Sequence, residues 1–204
     1  MPEPAPTLSI YQLRVVLRGI SPLIWRRLEV RSDTTLADLH AVLQAAFSWD
    51  DIHLHRFKIG GHEYDGVYDT PRVRLADLGL RVTERFVYDY DCGDLWRHDL
   101  RVERIMAPAP GRAYPRCTSG RRAGPPEGSG GPTGFMERTR PHHRWAVAQR
   151  VAEIVEEIIE DPARRDDYYE ELVGLRPWLQ TERLDRRALN RVLAELAAPK
   201  ERAA

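Results

Sequence analysis

The stretch Tyr88 to His98, YDYDCGDLWRH, holds two tyrosines, three aspartates, a cysteine, a tryptophan and a histidine. Carboxylates held close together push their pKa values apart and can divide acid and base duties, so Asp89, Asp91 and Asp94 form one candidate set. The structural alternative has Asp94 capping a turn through its side chain and Asp91 paired with an arginine such as Arg26 or Arg97. Cys92 can act as a nucleophile only beside a base, for which His98 is the candidate. Upstream, His53 and His55 stand two positions apart. On a strand that spacing shares a face, so both imidazoles can reach one divalent metal, with Asp91, Asp94 or His98 completing an open, catalytic type of site. The alternative packs one histidine against Trp49 or Phe57 and leaves the other bonded to an aspartate. No cofactor is expected apart from such a metal.

These residues need elements to position them. Before Cys92 aromatics and acids alternate, the period of a strand with two unlike faces; after Gly93-Asp94 a second alternation puts Trp96, His98, Leu100 and Val102 on one face. The pattern predicts a β-hairpin with acids near its bend. Earlier, Ile10 to Ile20 and Leu23 to Val30 read as strands about a turn at Gly19 to Pro22. Trp25 is expected to bury its ring against the following helix. The pair Arg26 and Arg27 reads as one solvated and one paired side chain, with phosphate binding as the functional alternative. Thr34 or Thr35 caps that helix, with Asp38 in the capping-box place; Leu36, Leu39, Val42, Leu43, Ala46 and Phe47 recur at helical spacing, and the helix stops near Ser48. Leu54 to Ile59 reads as a strand, Gly60-Gly61 as a turn into His62 to Tyr64, RLADL as a short helical turn, and Phe86 to Tyr90 as the next strand. That order is the order of a β-grasp-like α+β fold, in which Phe86 to Tyr90 pairs in parallel with the first strand; Trp96 to Met106 extends the sheet.

Residues 107–141 are rich in proline and glycine and lack periodicity, so by composition they read as a linker or a long surface loop. Beyond it, Trp145 to Ile159 forms an amphipathic helix ending before Pro162. Asp166 to Val173 and Thr181 to Leu196 add two more, separated by Arg176-Pro177-Trp178. The expected organisation is a proline-rich, disordered 1–7, one α+β domain over 8–197 (sheet core 8–106, covering loop 107–141, helical cap 142–197) and a tail at 198–204.

The chain has 204 residues, with 31 basic and 31 acidic side chains, so no net field draws it to nucleic acid or acidic membrane. Two cysteines, Cys92 and Cys117, fit a reduced setting, and no apolar run reaches membrane-spanning length. The expected location is the cytoplasm, without a membrane partner. Arg138, Arg140, His142, His143 and Arg144 before Trp145 form a local basic patch that can track a phosphate backbone; the acidic Glu153, Glu156, Glu157, Glu160 and Asp161 that follow favour a solvated, salt-bridged helix. The Pro125-Pro126-Glu127 and Gly128 to Gly134 segment can cradle an anion with backbone N–H groups, but it lacks the lysine and hydroxyl of a phosphate loop.

In order and spacing, WRRLEV, TTLADLHAVLQAAFSW, HLHRF, YDYDCGDLWRH and YPRCTSGRRAGPPEGSGGPTGF resemble the Ri-plasmid open-reading-frame-three-like family, whose members include insertion-element passengers labelled TnpR. The resemblance covers about Tyr11 to Asn190. It implies an α+β domain carried on mobile elements, with no established activity, and it favours a loop that covers a site over one that merely tethers. No serine-recombinase motif accompanies the label. Cys92 replaces the family's usual aromatic, and Gly128-Ser129 replaces its usual aspartate-cysteine, which removes the natural partner of Cys117. The candidate polar site is Tyr90, Asp91, Asp94, His98 and Glu127, where the hairpin, the His53/His55 strand and the Pro125 to Phe135 loop converge, with Asp94 or His98 in reach of the loop backbone. A non-enzymatic binding or accessory module, acting on protein or nucleic acid, stands first; a metal-dependent or acid–base enzyme second; a purely structural partner third.

Overall fold

The computed structural model describes residues 8–66, 68–139, 144–180 and 183–197. Its centre is a seven-stranded sheet in the order β4-β3-β5-β6-β1-β2-β7. The strands are β1 (Ile10–Leu17), β2 (Trp25–Arg31), β3 (His55–Ile59), β4 (His62–Asp65), β5 (Arg85–Tyr90), β6 (Trp96–Met106) and β7 (Arg116–Arg121). Each pairs antiparallel with its neighbours. The helices are α1 (Leu36–Phe47), α2 (Gly131–Thr139), α3 (Arg144–Glu160), α4 (Tyr169–Gln180) and α5 (Arg186–Ala197).

Helix α1 starts where its capping box dictates. The Thr35 hydroxyl accepts from the Asp38 backbone N–H at 3.0 Å, and the Asp38 carboxylate accepts from the Thr35 N–H at 3.3 Å. The helix ends at Ser48, which is left-handed with φ of 62°. Its covered stripe, from Leu36 to Phe47, packs on alternate residues of the strands: Leu13 and Val15 of β1, Leu28 and Val30 of β2, Phe86 and Tyr88 of β5, Leu100 and Val102 of β6. The intervening residues form the sheet's other face, more polar and mostly half-buried, the usual division of an antiparallel sheet covered on one side.

The α+β class stands, with one correction. The strand β5 does not pair with β1; β6 lies between them, antiparallel to both. The reason is local. The short turn after Tyr90 returns the chain directly alongside β5, and the eleven-residue β6 is long enough to pair along the whole of β1. The direct parallel pairing of a β-grasp does not form.

The stretch 107–141, read as loop, contains β7 and α2. As an edge strand, β7 needs a cover. Asn190 of α5 supplies it: its Oδ1 accepts from the Cys117 N–H at 2.7 Å and its Nδ2 donates to the Cys117 carbonyl at 3.0 Å, in the manner of a neighbouring strand. Helix α5 buries Leu189 and Leu193. Helix α4 runs on through Arg176-Pro177-Trp178, read as a break, and Arg150 of α3 holds it by two bonds to Glu171 at 2.7 and 3.0 Å. Residues 1–7 and 198–204 lie outside the described residues.

Trp25 is a second correction. It lies on the open face, half-buried, with the guanidinium groups of Arg14 and Arg27 5.0 and 5.6 Å from its ring centre. Arg26 takes the covered face and is 1 % exposed. One residue of register decides which side chain enters the core. Its Nε donates to the Ala46 carbonyl at 2.8 Å and its Nη1 to the Trp25 and Arg121 carbonyls at 2.9 and 3.1 Å. Replacing Arg26 with methionine leaves buried carbonyls unpaired and is expected to lower stability by at least about 2 kcal/mol, whereas Trp25→Ala costs about 1 kcal/mol. Urea denaturation midpoints check the order; a larger loss for Trp25→Ala contradicts it.

Candidate functional site

The ends of β3 and β5, the segment after α1 and the residues around Glu127 come together. Trp49 donates from Nε1 to the Pro125 carbonyl at 2.8 Å. The Glu127 carboxylate accepts from the Tyr90 hydroxyl at 2.5 Å and from the Asp50 N–H at 3.1 Å. Burial, and then the hydrogen bond to Glu127 and its charge, push the Tyr90 phenol well above its ordinary pKa. The Asp94 carboxylate accepts from the Gly130 N–H at 3.1 Å. Gly131, at φ of 66°, approaches so closely that a Cβ there would lie 2.3 Å from the Asp94 carbonyl. Asp94 and Glu127 thus hold the glycine-rich segment against the hairpin.

The three aspartates diverge. Asp89 faces the open side of the sheet, where Arg97 binds it at 2.8 and 3.0 Å and Arg56 approaches to 3.4 Å. Burial raises its pKa, but the bonds and charge of Arg97 outweigh this and keep the carboxyl below its usual range. Asp91, at φ of 60°, caps the turn by accepting from the Gly93 and Asp94 N–H groups at 2.8 and 3.3 Å. Each of the three thus has partners of its own: Arg97 for Asp89, the turn N–H groups for Asp91 and the Gly130 N–H for Asp94. His98 is fully buried under Phe47, Trp49 and Tyr88, and burial drives its pKa to about 3. Cys92 is exposed on the turn. The thiol is exposed and the imidazole fully buried, so His98 is not placed as its base.

The histidines also separate. His53 precedes β3, so the strand rule does not apply to it; its Nε2 lies 3.5 Å from the Asp91 carboxylate. His55 instead stacks on His40 of α1, centroids 3.5 Å apart and 9° from parallel. A Cβ on Gly66 would lie 2.7 Å from the other side of the His55 ring, so only glycine seats it. His40 belongs to a closed circuit. Gln44 Nε2 donates to the Tyr88 hydroxyl at 2.9 Å, which bonds His40 Nδ1 at 2.7 Å. His40 Nε2 bonds Asp51 at 2.7 Å, and the Asp51 N–H returns to Gln44 Oε1 at 3.2 Å. With Gln44 donating to it, Tyr88 gives its own hydrogen to His40 Nδ1, which assigns the imidazole proton to Nε2.

Among the described residues His40, Asp51 and His55 come near enough to share a metal, their ligand atoms within 4.8 Å of one another. His55 Nε2 is buried without a hydrogen-bond partner. An ion there must displace the His40 Nε2 proton and turn two stacked rings, because parallel imidazoles do not aim their lone pairs at one point. The sequence carried a signal for this cluster: His40 and Gln44 are polar residues one turn apart within the covered stripe of α1.

A cleft of about 320 Å3 opens beside these rings, lined by residues that include Leu54, His55, Tyr68, Asp91 and Leu95. Leu54 and Tyr68 are 68 and 78 % exposed, and Leu95 is 44 % exposed. Asp94, His98 and Glu127 do not line it. Of the basic patch, Arg138 is exposed at the end of α2, while Arg140 and the side chain of Arg144 lie outside the described residues. Among the described residues no helix is long and apolar enough to cross a membrane.

An α+β protein with helix α1 packed on one face of an antiparallel sheet, and a cleft at the ends of β3 and β5, is the class these features define. The chain belongs to the plasmid pRiA4b ORF-3-like protein family, whose pattern matches residues 9–179. It is 36 % identical over 141 residues to the uncharacterized protein y4hQ of Sinorhizobium fredii, which covers 63 % of this chain and 71 % of that one. The crystal structure of MM3350, a protein of unknown function from Methanosarcina mazei Go1, has a TM-score of 0.65 at 29 % identity, covering 89 % of this chain and 98 % of that one.

Burial lowers the pKa of His40, brings that of His55 to about 4 and that of His98 to about 3. The unfolded chain takes up these protons from about pH 6.5 downward and the folded chain does not until lower pH. Stability is therefore full above that value and falls as pH drops from 6.5 toward 4. His55→Phe, which keeps the stacking and removes the partnerless nitrogen, is expected to make that slope shallower. Urea midpoints measured across the window check this; an unchanged slope contradicts the assignment.

Proposed function

We propose that this protein is a non-enzymatic binding module whose cleft at the ends of β3 and β5 takes an apolar group bearing a positive charge. Such a module would serve an accessory role in the mobile-element setting that the resemblance implies. One observation carries the reading: Leu54, Tyr68 and Leu95 stand exposed around a single cleft instead of being scattered. Large apolar side chains gathered at a concave site mark recognition more often than chance exposure. The carboxylates of Asp65 and Asp91 border the same cleft, while Asp89 is neutralised by Arg97 and Arg56. The remaining charge is therefore negative. The cleft lies at the floor formed by His55 and Tyr90, whose positions the hydrogen-bonded circuit and Glu127 hold in place, so the site is pre-organised.

Tryptamine and indole-3-acetate share one ring and carry opposite charges, which makes them a matched pair of probes. Tryptamine is expected to bind at least about tenfold more tightly, a difference of about 1.4 kcal/mol. Tyr68→Ser should abolish most of that binding without changing the fold, because the side chain is exposed. Isothermal titration calorimetry reads both. Equal binding of the two probes, or tighter binding of the anion, overturns the proposal.

A further inference from the structure

The open face of the sheet carries an arrangement that neither the cleft nor the hydrogen-bonded circuit uses. In the strand register Arg27 stands opposite Arg14, Arg14 opposite Arg101, and Arg101 opposite Arg85. Four arginines thus form one row across β2, β1, β6 and β5. Directly opposed residues of antiparallel strands point to the same side, and like charges so placed repel. With strands about 4.8 Å apart, the row spans roughly 14 Å. One carboxylate offsets it: Glu103 accepts from Arg27 at 2.5 and 3.1 Å. Arg14 rests against Trp25. Arg85 and Arg101 are exposed, and among the described residues neither has a carboxylate within 4.0 Å.

The neighbouring row on the same face is mostly apolar. Trp25 stands opposite Val16, Val16 opposite Asp99, and Asp99 opposite Val87. The first two and Val87 are half-buried, and Asp99 is occupied by Arg18 at 2.6 Å. A cationic row beside a row offering an indole and two valines is the pairing that a single nucleic-acid strand requires: phosphates on one side, bases on the other. An acidic protein surface would use the arginines but not the indole beside them. A duplex would present phosphates with its bases already stacked.

We propose that this face binds single-stranded nucleic acid, with phosphates along Arg27, Arg14, Arg101 and Arg85 and bases over Trp25, Val16 and Val87. The site is distinct from the basic patch near Arg138 and shares no residue with the cleft, so either can fail alone. Because the chain is neutral overall, binding depends on this local row and is strongly weakened by salt.

Fluorescence anisotropy of a labelled oligothymidylate of about twelve nucleotides tests it with the full chain at low salt. Binding is expected, with log affinity falling against log salt by about 2–3, the slope for three to four phosphates at about 0.7 each. Arg101→Glu and Arg85→Glu, both at exposed positions, should each weaken binding about tenfold or more while the circular dichroism stays unchanged. Trp25→Leu should weaken it severalfold and leave the salt slope in place. Absence of binding, or charge reversals without effect, overturns the site. Inorganic polyphosphate displacing the oligonucleotide at equal charge, together with an unaffected Trp25→Leu, leaves a charge-only surface and overturns the nucleic-acid assignment.

Discussion

The buried guanidinium of Arg26 is the contact on which the rest of the arrangement hangs. A cation removed from water is costly unless its donors are satisfied. Here no carboxylate answers it. Three carbonyls do, from Ala46 near the end of α1, Trp25 in β2 and Arg121 at the end of β7, while the Phe47 ring lies 5.0 Å from the charge. Burial lowers its pKa to about 10, still well above neutrality, so it remains charged. The C-terminus of a helix is a favourable place for a cation because the backbone dipoles converge there. One side chain therefore fixes where α1 ends relative to β2 and β7, and Trp49, Asp50 and Asp51 follow directly from that end.

The polar circuit inherits its geometry from this placement. Asp51 can reach His40 only because the chain turns back at Ser48, and Tyr88 can reach both His40 and Gln44 only because α1 lies over β5. Each member bonds two others, so the buried hydroxyl, amide and imidazole of the circuit are satisfied together. The same completeness explains why His40 remains a structural residue. Its two nitrogens are already committed, which leaves the partnerless His55 Nε2 as the exception in the cluster. On the far side of the Tyr90 hydroxyl, Glu127 and Asp94 draw the glycine-rich segment onto the hairpin, so α2 begins where the hairpin turn allows.

The sheet then divides its labour by face. The covered face carries the core and the aromatic rings beneath the circuit. The open face retains arginine, tryptophan and acid in rows set by strand register. Its two edges are managed differently: β4 is four residues long, and Asn190 with Arg186 occupies the backbone of β7. The cleft lies at the end of the sheet, where β3 begins and β5 finishes.

Much of this was legible in the residues. The Thr35–Asp38 capping box and the apolar spacing from Leu36 to Phe47 define α1, because both act within one helix turn. The alternation through Phe86 to Tyr90 and Trp96 to Val102 places β5, β6 and the turn between them, since a period of two needs no distant partner. Long-range choices were not legible. Whether Trp25 or Arg26 enters the core depends on carbonyls about 20 and 95 positions away, which alternation cannot see. The place of β6 between β5 and β1 follows from strand length and turn geometry acting together. His55 finds His40 in place of His53 because a helix crosses the strand there. The glycine-rich segment reads as loop by composition, and it becomes a strand and a helix only where β2, Asp94 and α5 supply the missing hydrogen bonds. Local periodicity determined the elements of this protein; the pairing of buried polar groups, which only the assembled fold can satisfy, decided which residues meet at its sites.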